Sequence, residues 1–150
     1  MAKKIGVISD THGLLRPQVL DVLKDCDCII HAGDIGKQEI LDALWPLGSL
    51  YAVRGNCDGA WAQNLCRGLT FQIDGVSFYL THDRKNVPWN LEHTDVVIFG
   101  HSHHYTEEYR DGRLWLNPGS CGVSRFGGEV TMAVLTLEEG NIRVEKKSVC

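Results

Sequence analysis

The sequence predicts an α/β domain of two packed β-sheets with helices on the outside. Two stretches of different grammar predict it. The first third alternates short β-branched apolar runs with segments of helical periodicity, and beyond residue 69 the chain turns to paired runs joined by Asp-Gly. A length of 150 residues suits one domain that buries most of the surface its unfolded chain exposes. At 43% hydrophobic and 23% charged, the composition is that of an ordinary soluble globular chain.

Residues 3–9 read as a buried strand, after which Leu15, Val19, Val22 and Leu23 recur at helical spacing. Pro17 falls near the first turn of that helix, where a missing N–H costs nothing. Cys28, Ile29 and Ile30 form a second strand core. Ile40, Leu44 and Leu47 mark a second helix ended by Pro46, and residues 50–53 make a third strand. Such a β-α-β-α-β opening implies parallel strands with right-handed crossovers. Asp74-Gly75 then separates 70–73 from 76–81, and Asp111-Gly112 separates 105–110 from 113–116. Both are hairpin signals, since Asp-Gly readily supplies the positive φ angles of a tight turn. Gly140-Asn141 is read as the joint between 130–137 and 142–147, and 95–99 stands alone as a short central strand. Most of this later part is expected to be antiparallel.

A net charge of −4 leaves no basic footprint, so neither nucleic acid nor an anionic membrane is an expected partner. The apolar stretches are strand-sized and too short to span a bilayer. The N-terminus runs straight into the first strand without a cleavable signal pattern, which makes a cytoplasmic location the expectation. The six cysteines (Cys26, Cys28, Cys57, Cys66, Cys121 and Cys150) form no C-x-x-C pair, and thiols are expected in preference to a disulfide framework.

Five polar clusters carry the chemistry: Asp10-Thr11-His12, Gly33-Asp34, Gly55-Asn56-Cys57-Asp58, His82, and Gly100-His101-Ser102-His103. Each follows an apolar run, so each falls at the carboxyl end of a strand, where open sheets bind ligands. Judged singly they are weak. D-x-H equally describes a helix-capping Asp beside a surface His, and Gly-Asp and Gly-Asn are turn formers. Together they offer two carboxylates, a side-chain amide and four imidazoles. Carboxylate oxygen and imidazole nitrogen suit divalent transition ions, and a carboxylate can bridge two of them. Two such ions suit hydrolysis of a phosphate ester. Asp58 is read as an acceptor that orients a neighbouring group.

In this order the clusters resemble the calcineurin-like metallophosphoesterase superfamily, whose pattern is D-x-H, G-D, G-N-[HC]-[DE], H and G-H-x-H. The match covers residues 5–103 and extends to the Asn117-Pro118-Gly119-Ser120 turn; G-N-C-D and the short chain point to the small YfcE-type phosphodiesterase branch. The resemblance implies a four-layer fold, two facing mixed β-sheets flanked by α-helices. It implies one divalent ion held by Asp10, His12, Asp34 and His103, and a second held by Asp34 as bridge with Asn56, His82 and His101. Mn²⁺ is the usual ion implied, with Fe, Co, Ni or Zn admitted by the same donors. The implied reaction is attack on phosphorus by a hydroxide bridging the two ions, the substrate being a small phosphodiester. Asn56, Cys57 and Asp58 form the implied catalytic segment.

The chain departs from the pattern in two places. Many members carry His where Cys57 stands, a position from which His can protonate the leaving alcohol. Cys is less suited to that task, which implies a preference for good leaving groups. The stretch 83–94, between His82 and the next strand, is short and holds Pro88, so the helix related proteins often place there is marginal. Trp89 and Leu91 are read as cover for the core, with packing on a second copy in a homo-oligomer as the alternative. Arg54 is read as a solvated surface residue, with a phosphate contact as the alternative, and His31, His93 and His104 as structural or surface histidines. Rival readings are a phosphomonoesterase, a repair-type nuclease disfavoured by the acidic charge, and a scaffold like the superfamily's retromer subunit, with Trp61, Trp89 and Phe126 as its surface.

Overall fold

Strand parity builds the core. In β1 (Lys3–Ile8), Ile5 and Val7 point to one side and Ile8 to the other. In β2 (Cys28–His31), Ile30 and Ile29 divide in the same way. The first side meets Phe78, Leu80, Ile98 and Leu116 of a second sheet, and the other receives Val19, Leu23 and Leu44 from two helices. These are α1 (Pro17–Leu23), with Pro17 at its start, and α2 (Gln38–Leu44), which passes into a 3-10 turn at Trp45–Leu47. The structure is a computed structural model that describes residues 2–124 and 127–149, so the Phe126 and Cys150 considered above lie outside the described residues. No disulfide joins the described cysteines.

The remaining strands are β3 (Ser49–Ala52), β4 (Gly68–Ile73), β5 (Val76–Thr81), β6 (Val96–Ile98), β7 (Thr106–Arg110), β8 (Arg113–Asn117), β9 (Thr131–Glu138) and β10 (Asn141–Ser148). They form two five-stranded sheets, ordered β10-β9-β1-β2-β3 and β4-β5-β6-β8-β7. Both sheets are mixed. In the first, β1, β2 and β3 run parallel while β9 and β10 are antiparallel. In the second, β6 lies between β5 and β8 and parallel to both, so this half is less antiparallel than its hairpin signals suggest. Parallel placement requires crossovers, and 82–95 and 99–112 supply them. As a result β1, β2, β3, β5, β6 and β8 all deliver their carboxyl ends to one edge.

The hairpin turns follow the Asp-Gly rule. Asp74 and Gly75 have φ of 48° and 81°, and Asp111 and Gly112 have 56° and 75°. The last turn falls one residue earlier than read from sequence: Glu139 and Gly140 take φ of 50° and 81°, and Asn141 already pairs with Glu138.

The two helices cover only the first sheet. Among the described residues, the outer face of the second sheet carries no α-helix; the 83–94 segment lies over it with one 3-10 turn at Arg84–Asn86. The Arg84 guanidinium stands 5.1 Å from the Phe99 ring centroid and 4.9 Å from that of Trp115, and pairs with Glu108. Arg113 donates to the Leu91 carbonyl at 2.8 Å. Trp89 is 96% exposed and so does not cover the core as expected, because Arg84 already occupies the apolar face beneath. Trp61 is half-buried against the helix-side cluster, which removes it from the exposed aromatic surface read from sequence.

An added Cβ at Gly75 would meet nothing within 4 Å, so Gly75→Ala tests backbone conformation alone. The expected cost is about 1–2 kcal/mol, read as a lower denaturant midpoint at unchanged m-value. An unchanged midpoint would contradict the turn assignment.

Candidate metal centre

Backbone pairing outlasts the strands at the carboxyl edge. Asp10 N–H donates to Gly33 O at 3.0 Å, His12 to Asp34 O at 2.9 Å and Gly13 to Ile35 O at 2.8 Å. Asp10, His12, Asp34, His101 and His103 all have left-handed backbone, with φ between 45° and 73°. Such angles are uncommon outside glycine and persist where surroundings enforce them, often at functional sites. Here they turn side chains from successive strands toward one point.

All seven residues expected as metal ligands arrive there. Asp10 Oδ1 lies 3.3 Å from His103 Nε2, 3.6 Å from His12 Nε2 and 4.0 Å from His82 Nε2. Asp34 Oδ2 lies 3.1 Å from His82 Nε2 and 3.7 Å from His12 Nε2. Ligand-type atoms of Asp10, His12 and His103 fall within 4.8 Å of one another, as do those of Asp34, His82 and His101. A third such group, His12, Asp34 and Cys57, links the two. Asn56 Oδ1 is 3.1 Å from His101 Nδ1.

The polar atoms fit cations. Asp10 Oδ1, His12 Nε2 and His82 Nε2 face one another and are buried without a hydrogen-bond partner, a costly state that a bound ion would relieve. Burial works against the Asp10 carboxylate, but His103, His12 and Ser9 hold its pKa far below the usual range. Asp34 is buried too, yet His82 and the Cys57 amide keep its pKa low. Burial opposes the charged form of His82, and Asp34 and Asp10 overcome it to raise its pKa. The two carboxylates are thus ionised, and the ring facing them answers a demand for positive charge.

A second layer of groups fixes this arrangement. Ser9 Oγ and the His101 amide donate to Asp10 Oδ2 at 2.6 and 3.1 Å. The Cys57 amide donates to Asp34 Oδ1 at 2.8 Å. His82 Nδ1 donates to Ala32 O at 2.7 Å, which directs Nε2 at the carboxylates. The Asp58 carboxylate accepts the amides of Gly55, Gly36 and Ile35 at 2.9, 3.0 and 3.1 Å, tying the loops after β2 and β3 together. Close approach there needs glycine: a Cβ on Gly33 would come within 2.8 Å of His82 Nδ1, and one on Gly55 would strike the Asp34 carboxylate.

Several positioning residues escaped the sequence reading. Asn117 donates to Gly100 O and Ser102 Oγ, both at 3.1 Å, and Ser120 Oγ donates to Asp10 O at 3.0 Å. The Asn-Pro-Gly-Ser turn was visible, but its partners are far away in the chain. Arg54 is not a solvated surface residue: it is half-buried, and Nη2 donates to Asp58 O at 3.0 Å. His93 and His104 are exposed, and His31 is fully buried, as structural and surface readings require. The His31 ring joins two ligand loops. Its Nδ1 accepts from the Gly33 amide at 3.1 Å, Nε2 donates to Thr11 Oγ1 at 3.0 Å, and Thr11 Oγ1 donates to Ile35 O at 2.8 Å.

Residues 4–140 match the calcineurin-like phosphoesterase superfamily domain. The chain is 33% identical over 136 residues to a probable metallophosphoesterase of Methanothermobacter thermautotrophicus, covering 81% of this chain and 79% of that protein. It is 28% identical over 161 residues to the phosphodiesterase MJ0936 of Methanocaldococcus jannaschii, covering 93% and 96%. The structure of the phosphoesterase YfcE of E. coli superposes with a TM-score of 0.72 at 22% identity, covering 98% of this chain and 100% of that one. Vps29 of Chaetomium thermophilum gives a TM-score of 0.77 at 17% identity over 97% of each chain. At those identities the two structures speak for the fold alone.

Burial lowers the His31 pKa to about 4 from 6.5. A lowered folded-state value means stability that is complete above pH 6.5 and lost as pH falls toward 4. The chelated protein should therefore lose about 3 kcal/mol across that window through this group, and a His31→Gln variant should lack that part of the slope. Equal slopes for both proteins would contradict a neutral buried His31.

Proposed function

Because the chain belongs to the calcineurin-like phosphoesterase superfamily, we propose that it is a dinuclear-metal phosphodiesterase acting on small soluble phosphodiesters. The observation that carries this reading is the convergence of Asp10, His12, Asp34, Asn56, His82, His101 and His103 with buried, unpartnered ligand atoms at its centre. Asp10, His12, Asp34 and His103 would hold one ion. Asp34, Asn56, His82 and His101 would hold the other. Two divalent ions, Mn²⁺ first among Mn, Fe, Co, Ni and Zn, would supply activated water and stabilise charge on the phosphoryl oxygens.

The chain's own residues supply the rest. Asp34 would serve as the bridge, a role supported by its Oδ2 facing both His12 and His82 while Oδ1 is held by the Cys57 amide. Asp10 and Asp34 together contribute two negative charges, fewer than two divalent cations bring, so an anionic ester is attracted to the edge where they meet. Asp58 acts as a positioning residue, its oxygens already engaged by three backbone amides. Cys57 is exposed beside His12 and Asp34, with its sulfur 3.6 Å from Asn56 Nδ2. A thiol there protonates a departing alkoxide less readily than an imidazole, so aryl diesters should outrun alkyl ones.

No helix among the described residues is long and apolar enough to cross a membrane. A cytoplasmic small-molecule ester is the proposed substrate, without nucleic acid. A non-catalytic scaffold is the second reading, favoured by the Vps29-like fold and by the fully exposed Trp89.

The test is hydrolysis of paired aryl phosphomonoester and phosphodiester by chelator-stripped protein with Mn²⁺ restored. Diester cleavage should return with the metal, and Asn56→Ala should lower kcat/KM at least about tenfold. Preferred cleavage of the monoester would overturn the diesterase assignment. Silence with two ions bound would favour the scaffold.

A further inference from the structure

Next to the candidate metal centre, on the outer side of the second sheet, lies a recess of about 430 Å³. That is within the roughly 300–1,000 Å³ of small-molecule sites. Asp83, Arg84 and Lys85 form one wall, and Phe99, His101 and Thr106 contribute to the other. The 83–94 segment beside it forms one 3-10 turn at Arg84–Asn86. His101 is common to the recess and to the Asp34, His82 and His101 group. His101 is thus the residue at which the recess and the candidate metal centre adjoin.

The chemistry of the walls is defined. Arg84 is not available to an anion, since Glu108 neutralises it and its guanidinium lies over Phe99 and Trp115. Asp83 caps the turn, its Oδ1 accepting the Lys85 amide at 3.0 Å, and its Oδ2 is 3.9 Å from His101 Nε2. Of the charged residues that line the recess, Asp83 is negative and Arg84 and Lys85 are positive. Phe99 is 4% exposed and covered by Arg84, so the flat surface the recess offers is the outer side of the pinned guanidinium plane.

On the phosphodiesterase reading above, we infer that this recess holds one ester arm of the substrate and selects a flat group, such as an aryl ring, that stacks on the Arg84 guanidinium.

Calorimetric titration of the Mn²⁺-loaded protein with diphenylphosphinate and dimethylphosphinate tests it, since neither P–C bond hydrolyses. Diphenylphosphinate should bind the wild type about tenfold more tightly. Thr106→Phe narrows the recess from β7. Lys85→Trp narrows it from the opposite wall without touching the hydrogen bond from Thr106 Oγ1 to His104 O. Each variant should cut the aryl advantage below about threefold and leave dimethylphosphinate affinity unchanged. Equal affinities in the wild type, no binding of diphenylphosphinate, or an advantage kept in both variants would overturn the inference. An aryl preference without any ester hydrolysis would instead overturn the phosphodiesterase reading and leave the recess standing.

Discussion

Asp34 gives one carboxylate oxygen to the Cys57 amide at 2.8 Å and turns the other toward His82 and His12 at 3.1 and 3.7 Å. Much of the carboxyl edge is arranged around that carboxylate. Its left-handed backbone, at φ 55°, swings the side chain across the sheet, and Gly33 and Gly55 leave the space it occupies. Asp10 approaches from the next strand, so two ionised carboxylates face a shared volume, and among the described residues neither is ion-paired to a Lys or Arg. Buried like charges of this kind are tolerated when positive charge is supplied from elsewhere.

A site with so many buried polar atoms is stable only if its supporting groups are satisfied. Asp58 spends its carboxylate on three amides, His31 links Thr11 to Gly33, and Asn117 and Ser120 fasten the loops after β6 and β1. The atoms left without partners are therefore not packing faults spread over the molecule. Four of the five such atoms among the described residues belong to Asp10, His12, His82 and His103; the fifth is Arg54 Nε. Apart from Arg54 Nε, the buried side-chain groups left open among the described residues lie where ligands would meet.

What the sequence makes legible is whatever depends on neighbours in the chain. Asp74-Gly75 and Asp111-Gly112 predict their turns because the turn conformation is local. The five polar clusters stand out because each ends an apolar run, and parallel strands bring such ends together. The roles of His31, Asn117 and Ser120 are not legible, because their partners lie elsewhere; Ser120 reaches Asp10 across 110 positions. Arg54 was misread for the same reason: its half-buried state depends on the loop that Asp58 closes. Trp89 reads as core cover by hydrophobicity, but Arg84, stacked on Phe99 and Trp115, has taken that face.

The central claim is that Asp34 is shared between two ions. Metal content per chain, measured by mass spectrometry on wild type and Asp34→Asn after loading with Mn²⁺ and desalting, tests it most directly. The account predicts two ions in the wild type and loss of both in the variant, since a shared ligand serves each site. One ion in the wild type, or retention of one site at full occupancy in Asp34→Asn, would contradict it.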